Sequence, residues 1–203
     1  MKYIRVACSI ALLARACHAM ALECYEDDTV YYRQETPYTD KLQKMIDSAS
    51  ASQLPVVYLE PGLFVIDTDK PIVLKKGVSL KGHPSQPTIF ATKDRESTAT
   101  IEVEQTNQAW TIQDIVFENV NIRTVDNSYD DESAIFGNIF MNGDNSSIMS
   151  DNGKRLYIDS NIFLRDSAHA SMKSDSTTPS VSNMGIVLHA QKNSLVSNNI
   201  FGQ

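Results

Sequence analysis

The chain has 203 residues, 25 Asp and Glu against 18 Lys and Arg for a formal net charge of −7, and 42% hydrophobic residues. That length and composition predict one domain with a sizeable core and exclude wholesale disorder. The acidic balance excludes nucleic acid as a partner, because a phosphate backbone calls for a basic footprint. It leaves room for an acidic polysaccharide, since a local basic strip or a bound cation reverses the field.

Lys2 and Arg5, the short apolar run from Val6 to Ala14, and Ala19-Met20-Ala21 read together as a secretory signal over residues 1–21 with its cleavage site. The run is too short to span a bilayer and Arg15 interrupts it, so no stable membrane insertion is expected after cleavage; a retained helical anchor is the alternative. Loss of Lys2, Arg5 and Arg15 leaves 15 basic and 25 acidic residues, a net of about −10. Cys8 and Cys17 leave with the signal and Cys24 alone remains, so a secreted or periplasmic chain without an intrachain disulfide is expected.

Residues 22–39 read as an irregular leader, acidic at Glu23, Glu26, Asp27 and Asp28. Leu42, Met45, Ile46 and Ala49 then fall at i, i+3, i+4 and i+7, which predicts an amphipathic helix over 40–49. Asp40 is its expected cap, with Gln43 as the reciprocal partner, and Pro55 forbids continuation. Beyond Pro55 the period changes. Short β-branched runs at 56–59, 63–66, 72–74 and 78–80 predict strands, with a turn at Pro61-Gly62.

The decisive feature is a repeat. Ile112, Ile115 and Phe117 recur as Ile135, Asn138 and Phe140, then as Ile158, Asn161 and Phe163, so the leading isoleucines return at one constant step. Counting back by the same step lands on Ile89 and Ile66. A further copy, Val196, Asn199 and Phe201, follows after a longer interval, with a polar excursion over 171–183 before it. A fixed period in the twenties marks a solenoid whose coils bury their apolar faces against one another. The fold class expected is all-β: a right-handed parallel β-helix over 40–203, in coils of about 23 residues, with a short N-terminal capping helix. Asn138 and Asn161 are expected to stack as an amide ladder at an inward turn. A leucine-rich horseshoe has an overlapping period, but its consensus Asn or Cys positions fall here on Val120, Gly143 and Asp166. A sandwich of hairpins would space its strands by about 8–12 residues and would not bring phenylalanine back at a fixed step.

Residues 42–49, with 56–64 and the run Pro71 to Gly82, resemble the N-terminal part of pectate-lyase-like superfamily β-helices, where a short helix caps the core ahead of a strand, a Pro-Gly turn and an aromatic. The resemblance spans about residues 40–203 and is more specific for fold than for activity, since the superfamily holds lyases, hydrolases, epimerases, tailspikes and adhesins. It implies a polysaccharide partner and, for the lyases, an Arg or Lys that removes the proton at C5 of a uronate while Ca²⁺ on acidic side chains neutralises its carboxylate.

Two polar segments could carry such chemistry. Asp126, Asp130, Asp131 and Glu132 could offer oxygen ligands to Ca²⁺, with Asp130, Asp131 and Glu132 the expected set; a solvated acidic turn is the alternative. Arg165, Asp166, His169 and Lys173 cluster at the start of the longest loop, and Arg165, His169 and Lys173 are the expected catalytic groups; a polar loop that merely tolerates insertion is the alternative. His83 and His189 show no partner in the sequence and are expected to be structural or surface residues. Only Asp130-Asp131 offers paired carboxylates, outside the context a polygalacturonase-type hydrolase needs. The functional expectation is a lyase acting on an acidic, uronate-containing polysaccharide, with a non-catalytic glycan-binding module and a glycoside hydrolase as alternatives. Phe201 belongs to a repeat and no C-terminal cap follows it, so the sequence is expected to be a fragment or to be capped by another subunit.

Overall fold

The computed structural model describes residues 38–52, 55–94, 97–104, 108–125, 132–141, 146–151, 154–164 and 184–202. They form one helix, α1 (Thr39–Ser50), and seventeen strands in three parallel sheets. The first sheet holds β1 (Val56–Tyr58), β4 (Ser79–Lys81), β7 (Thr111–Gln113), β10 (Ser133–Phe136), β13 (Leu156–Asp159) and β16 (Leu195–Ser197), adjacent in that order. The second holds β2 (Gly62–Ile66), β5 (Thr88–Thr92), β8 (Ile115–Glu118), β11 (Ile139–Met141), β14 (Ile162–Leu164) and β17 (Ile200–Gly202). The third holds β3 (Ile72–Leu74), β6 (Ala99–Val103), β9 (Val120–Val125), β12 (Ser146–Asp151) and β15 (Met184–His189). The chain visits the sheets in rotation, so each strand lies beside the one three later. This all-β arrangement is consistent with a parallel β-helix. Among the described residues, no helix is long and apolar enough to cross a membrane.

Between the sheets lies one core. Val57, Leu80, Ile112, Ile135 and Ile158 form its column from the first sheet, all buried. Phe64, Phe90, Phe117, Phe140, Phe163 and Phe201 form the column from the second, with successive rings 4.8–6.0 Å apart. The last three contacts are stacked, interplanar angles 6–18°, because coils of equal geometry place each ring over the next.

The amide ladder forms and runs one rung further than expected. Asn138 Oδ1 accepts from Ile115 N–H, Asn161 Oδ1 from Asn138 N–H and Nδ2, and Asn199 Oδ1 from Asn161 N–H and Nδ2, at 2.9–3.1 Å. Each Nδ2 also donates back to the carbonyl of Ile112, Ile135 or Ile158. The ladder closes the turn from the first sheet to the second, where Asp114, Gly137, Ser160 and Asn198 each take a left-handed conformation, φ 53–65°. A short polar or glycine residue suits that backbone.

Three expectations are corrected. Counting back by a constant step fails above Ile112: its neighbour is Leu80, and Ile89 sits in the second sheet beside Val116. The early coils are longer, so Phe64, Phe90 and Phe117 are spaced more widely in the chain than Phe117, Phe140 and Phe163. Asp40 does not cap α1. The helix begins at Thr39 and its N-cap position, Tyr38, makes no side-chain cap bond. Asp40 instead pairs with Lys70, and Gln43 reaches β3, its Oε1 accepting from Val73 N–H and its Nε2 donating to Val73 C=O. A helix side chain thus satisfies the free edge of the third sheet. Tyr38 and Thr39, expected in the leader, already belong to the fold: Tyr38 N–H bonds Val65 C=O, and Thr39 Oγ1 accepts from Asp67 N–H.

Leu42 and Ile46 of α1 are fully buried over the first coil. At the other end, Val196 and Phe201 continue the same interior columns but are 44% and 59% exposed.

Candidate functional site

The three sheets present different outer faces. Leu63, Ile89, Val116, Ile139 and Ile162 align along the second, an apolar column. The third is the charged one. Strict alternation sends Val120, Ile122 and Thr124 of β9 inward and leaves Arg123 exposed outside. The register then lines up Val73, Glu102, Arg123, Met149 and Val187 across the five strands, with Asp151 and His189 paired two residues further along.

His189 and Asp151 form the defined pair of this face, Nδ1 to Oδ1 2.9 Å. This corrects the expectation that His189 has no partner. The two residues are far apart in sequence and meet only because β15 pairs with β12 in this register. An Nδ1–H donated to the carboxylate leaves Nε2 with its lone pair outward. Strand spacings of about 4.8 Å and about 3.3 Å per residue put the Cα atoms of Arg123 and Asp151 roughly 8 Å apart. A guanidinium reaches across that span. Among the described residues no carboxylate lies within ion-pair distance of Arg123. Lys75 and Glu104, one step past the ends of β3 and β6, make a longer pair at 3.6 Å.

Polar groups beneath the face hold it rigid. Thr124 and Ser150 point into the core and join at 2.6 Å, both fully buried. Gln191, just after β15, donates Nε2 to Ser150 C=O and Oγ and to His189 C=O. The strand end carrying His189 is therefore tied to the strand carrying Asp151 by more than the ladder, which is the kind of support a catalytic pair needs.

Of the residues expected from sequence, Arg165, His169, Lys173, Asp130 and Asp131 lie outside the described residues. Glu132 is described. It is exposed and accepts a hydrogen bond from Tyr157 Oη at 3.2 Å, beside the first sheet rather than on the third. Among the described residues no group of three or more His, Cys, Asp or Glu could hold a metal ion. His83 serves its own turn, its Nδ1 accepting from the N–H groups of Ser85 and Gln86.

No family model matches the chain, and no curated protein is similar enough to match. One solved structure with a related backbone is a protein of Parabacteroides merdae provisionally assigned as a glycosyl hydrolase. It is 11% identical over 82% of this chain and 89% of that one, with a TM-score of 0.43.

Proposed function

We propose that this chain is an exported, secreted or periplasmic, right-handed parallel β-helix of the pectate-lyase-like kind that cleaves an acidic, uronate-containing polysaccharide by β-elimination on the outer face of its third sheet. Right-handedness follows from the near-universal hand of crossovers between parallel strands. The observation that carries the activity is the Asp151–His189 pair on one rigid face with Arg123, which has no ion-pair partner among the described residues.

On that reading Arg123 binds the uronate carboxylate and stabilises the charge that spreads onto it as the C5 proton leaves. His189 Nε2 takes that proton, with Asp151 holding the ring in place through Nδ1. The C5–H electron pair becomes the C4–C5 double bond, the C4–O bond breaks, and the departing oxygen is protonated from water. Segment 165–183 leads directly into β15 and 126–131 follows β9 directly, so Arg165, His169 and Lys173 are proposed as supplementary groups along the same route, and Asp130 and Asp131 as Ca²⁺ ligands, with Glu132, at the first sheet's side, as a further ligand.

The test is a panel of polygalacturonate, alginate and glycosaminoglycan substrates with and without Ca²⁺. Elimination produces an unsaturated uronide that absorbs in the near ultraviolet, and the reading expects that absorbance to rise on at least one substrate. New reducing ends without absorbance would shift the chemistry to a hydrolase, for which Glu102 and Asp151 are the outward carboxylates of this face.

A further inference from the structure

A second feature lies away from the third sheet, at the N-terminal end of the stack. There Lys41, Lys44, Met45 and Ser48 form one stripe of α1 at i, i+3, i+4 and i+7 and face Val56, Val57 and Tyr58 of β1 across a pocket of about 440 Å³. That volume falls in the range of small-ligand sites and admits a sugar ring. Its floor is apolar, from Met45, Ala49 and Val57. Tyr58 is 71% exposed, although a tyrosine of the core would be covered.

The charge around it is weighted to lysine, although the exposed Glu60 follows Tyr58 by two residues and lies within electrostatic reach of Tyr38, and Asp40 lies within electrostatic reach of Lys44. Lys81 neighbours Tyr58 directly in the register of β1 and β4. Lys41 lies 5.1 Å over the ring of Tyr38. Of the helix's own acids, Asp40 pairs with Lys70, and Asp47 accepts a hydrogen bond from Gln43 that leaves its charge in place. Neither Lys44 nor Lys81 makes an ion pair among the described residues. On a chain of net charge −7, Lys41 and Lys44 in the pocket wall and Lys81 beside Tyr58 in the register give a local excess of positive charge.

We infer that this pocket is an anchoring subsite for a carboxylate-bearing pyranose: the apolar C–H face of the sugar lies on the Tyr58 ring, and Lys44, Lys41 and Lys81 surround the uronate carboxylate. Tyrosine suits this because its ring offers a large rigid apolar face at small conformational cost. An acidic peptide added as a strand is the competing occupant. β1 is an edge strand: Ser79 N–H bonds Pro55 C=O and Leu59 N–H bonds Lys81 C=O, so the backbone groups of Val56 and Tyr58 turn to the other side. However, α1 lies over β1 and walls the pocket with Lys41, Lys44 and Met45, so side chains rather than a free run of backbone line it, which favours a compact ring over an added strand. The subsite deepens the proposed function, since it supplies a hold on the polymer away from the bond that is cleaved. It rests on the acidic-glycan part of that reading and not on elimination.

The test is calorimetric titration of the whole chain with saturated tri-galacturonate, tri-guluronate and a chondroitin hexasaccharide, with dextran oligosaccharide and poly-glutamate as comparators. The variants are Tyr58→Ala, Lys41→Gln/Lys44→Gln and Lys81→Gln, each checked for an unchanged Tm. The inference expects at least one acidic oligosaccharide to bind, with Kd raised about tenfold by Tyr58→Ala and by the double lysine change, and affinity falling between low and high salt. Turnover of a short substrate at the third sheet is unchanged in these variants. Absence of elimination by the parent chain, with acidic-oligosaccharide binding weakened by the variants as expected, would sink the proposed function and leave the subsite standing. Unaltered Kd in both variants, equal binding of dextran, tighter binding of poly-glutamate, or no binding of any acidic oligosaccharide would each overturn the subsite.

Discussion

Replacement of Asn161 by alanine tests the stacking of the coils at its most buried polar point. Asn161 is fully buried, and its side chain accepts from Asn138 N–H at 3.0 Å and donates to Ile135 C=O at 2.9 Å. Alanine removes both, leaving one buried donor and one buried acceptor without a partner. Asn138 Nδ2 keeps its bonds to Ile112 and Phe136 carbonyls, and Asn199 Oδ1 keeps Asn161 N–H, so neither adds to the cost. At about 1–3 kcal/mol for each orphaned group, Asn161→Ala costs roughly 3–4 kcal/mol. That is a large part of a domain stability of about 5–15 kcal/mol. Asn199→Ala is the internal comparison. Asn199 makes the same bonds, but it is only half-buried, so water replaces what is lost and the cost drops to about 1 kcal/mol. Urea unfolding followed by far-ultraviolet circular dichroism measures both. An Asn161→Ala midpoint equal to that of the parent, or an Asn199→Ala variant less stable than Asn161→Ala, would refute the ladder as a source of stability.

Phe140→Ala opens the middle of the ring column, between Phe117 and Phe163, and is expected to cost about 3–5 kcal/mol in the same urea experiment. Gly82→Ala would drive a Cβ into the Asp114 carbonyl oxygen, so coil-to-coil spacing must give; a loss of about 2–3 kcal/mol and a lower Tm are expected. Gln43→Ala frees both Val73 backbone groups at the sheet edge and should cost about 1 kcal/mol, read as faster hydrogen exchange at Val73. Hydrogen bonds from Ser197, then Ser160, then Asn198 hold the Asp159 carboxyl below the usual carboxylate range. The charged form therefore favours the fold: its contribution is complete above the unfolded carboxylate range near pH ~4 and is lost as pH falls through the lowered value. Thermal scans at neutral and strongly acid pH should show a smaller acid-induced drop in Tm for Asp159→Asn than for the parent.

The regular part of this fold was legible because it is built on an invariant step. From Ile112 to Phe163 the step in the first and second sheets is constant, so Ile112, Ile135 and Ile158, with the asparagines between them, repeat on the page as they do in space, although the connections to the third sheet vary in length. Upstream, the connections at 82–87 and 93–98 are longer than their counterparts in the later coils, so the step drifts and a constant count does not reach Phe64 and Phe90 as members of the same column. Phe64 and Phe90 were the available signal, each at the third position of a β-branched run. Asp40 and Gln43 have the spacing of a capping box, but Lys70 and the open edge at Val73 compete for them, and only tertiary structure supplies those partners. The functional face was harder. His189 and Asp151 come from coils separated by the longest insertion, so no local motif joins them. Arg123 carries no motif at all and is distinguished only by the register that sets it outward beside Glu102.

The most direct test of the account compares Arg123→Ala, His189→Ala and Asp151→Asn with the parent on the substrate that yields unsaturated uronide. Turnover should fall by at least about a hundredfold in His189→Ala and Arg123→Ala, the scale of a removed general base or charge stabiliser. Asp151→Asn should fall less, and Tm should be unchanged in all three. Parental turnover in both His189→Ala and Arg123→Ala would contradict the assignment of the third sheet's outer face as the place where the polysaccharide is cut.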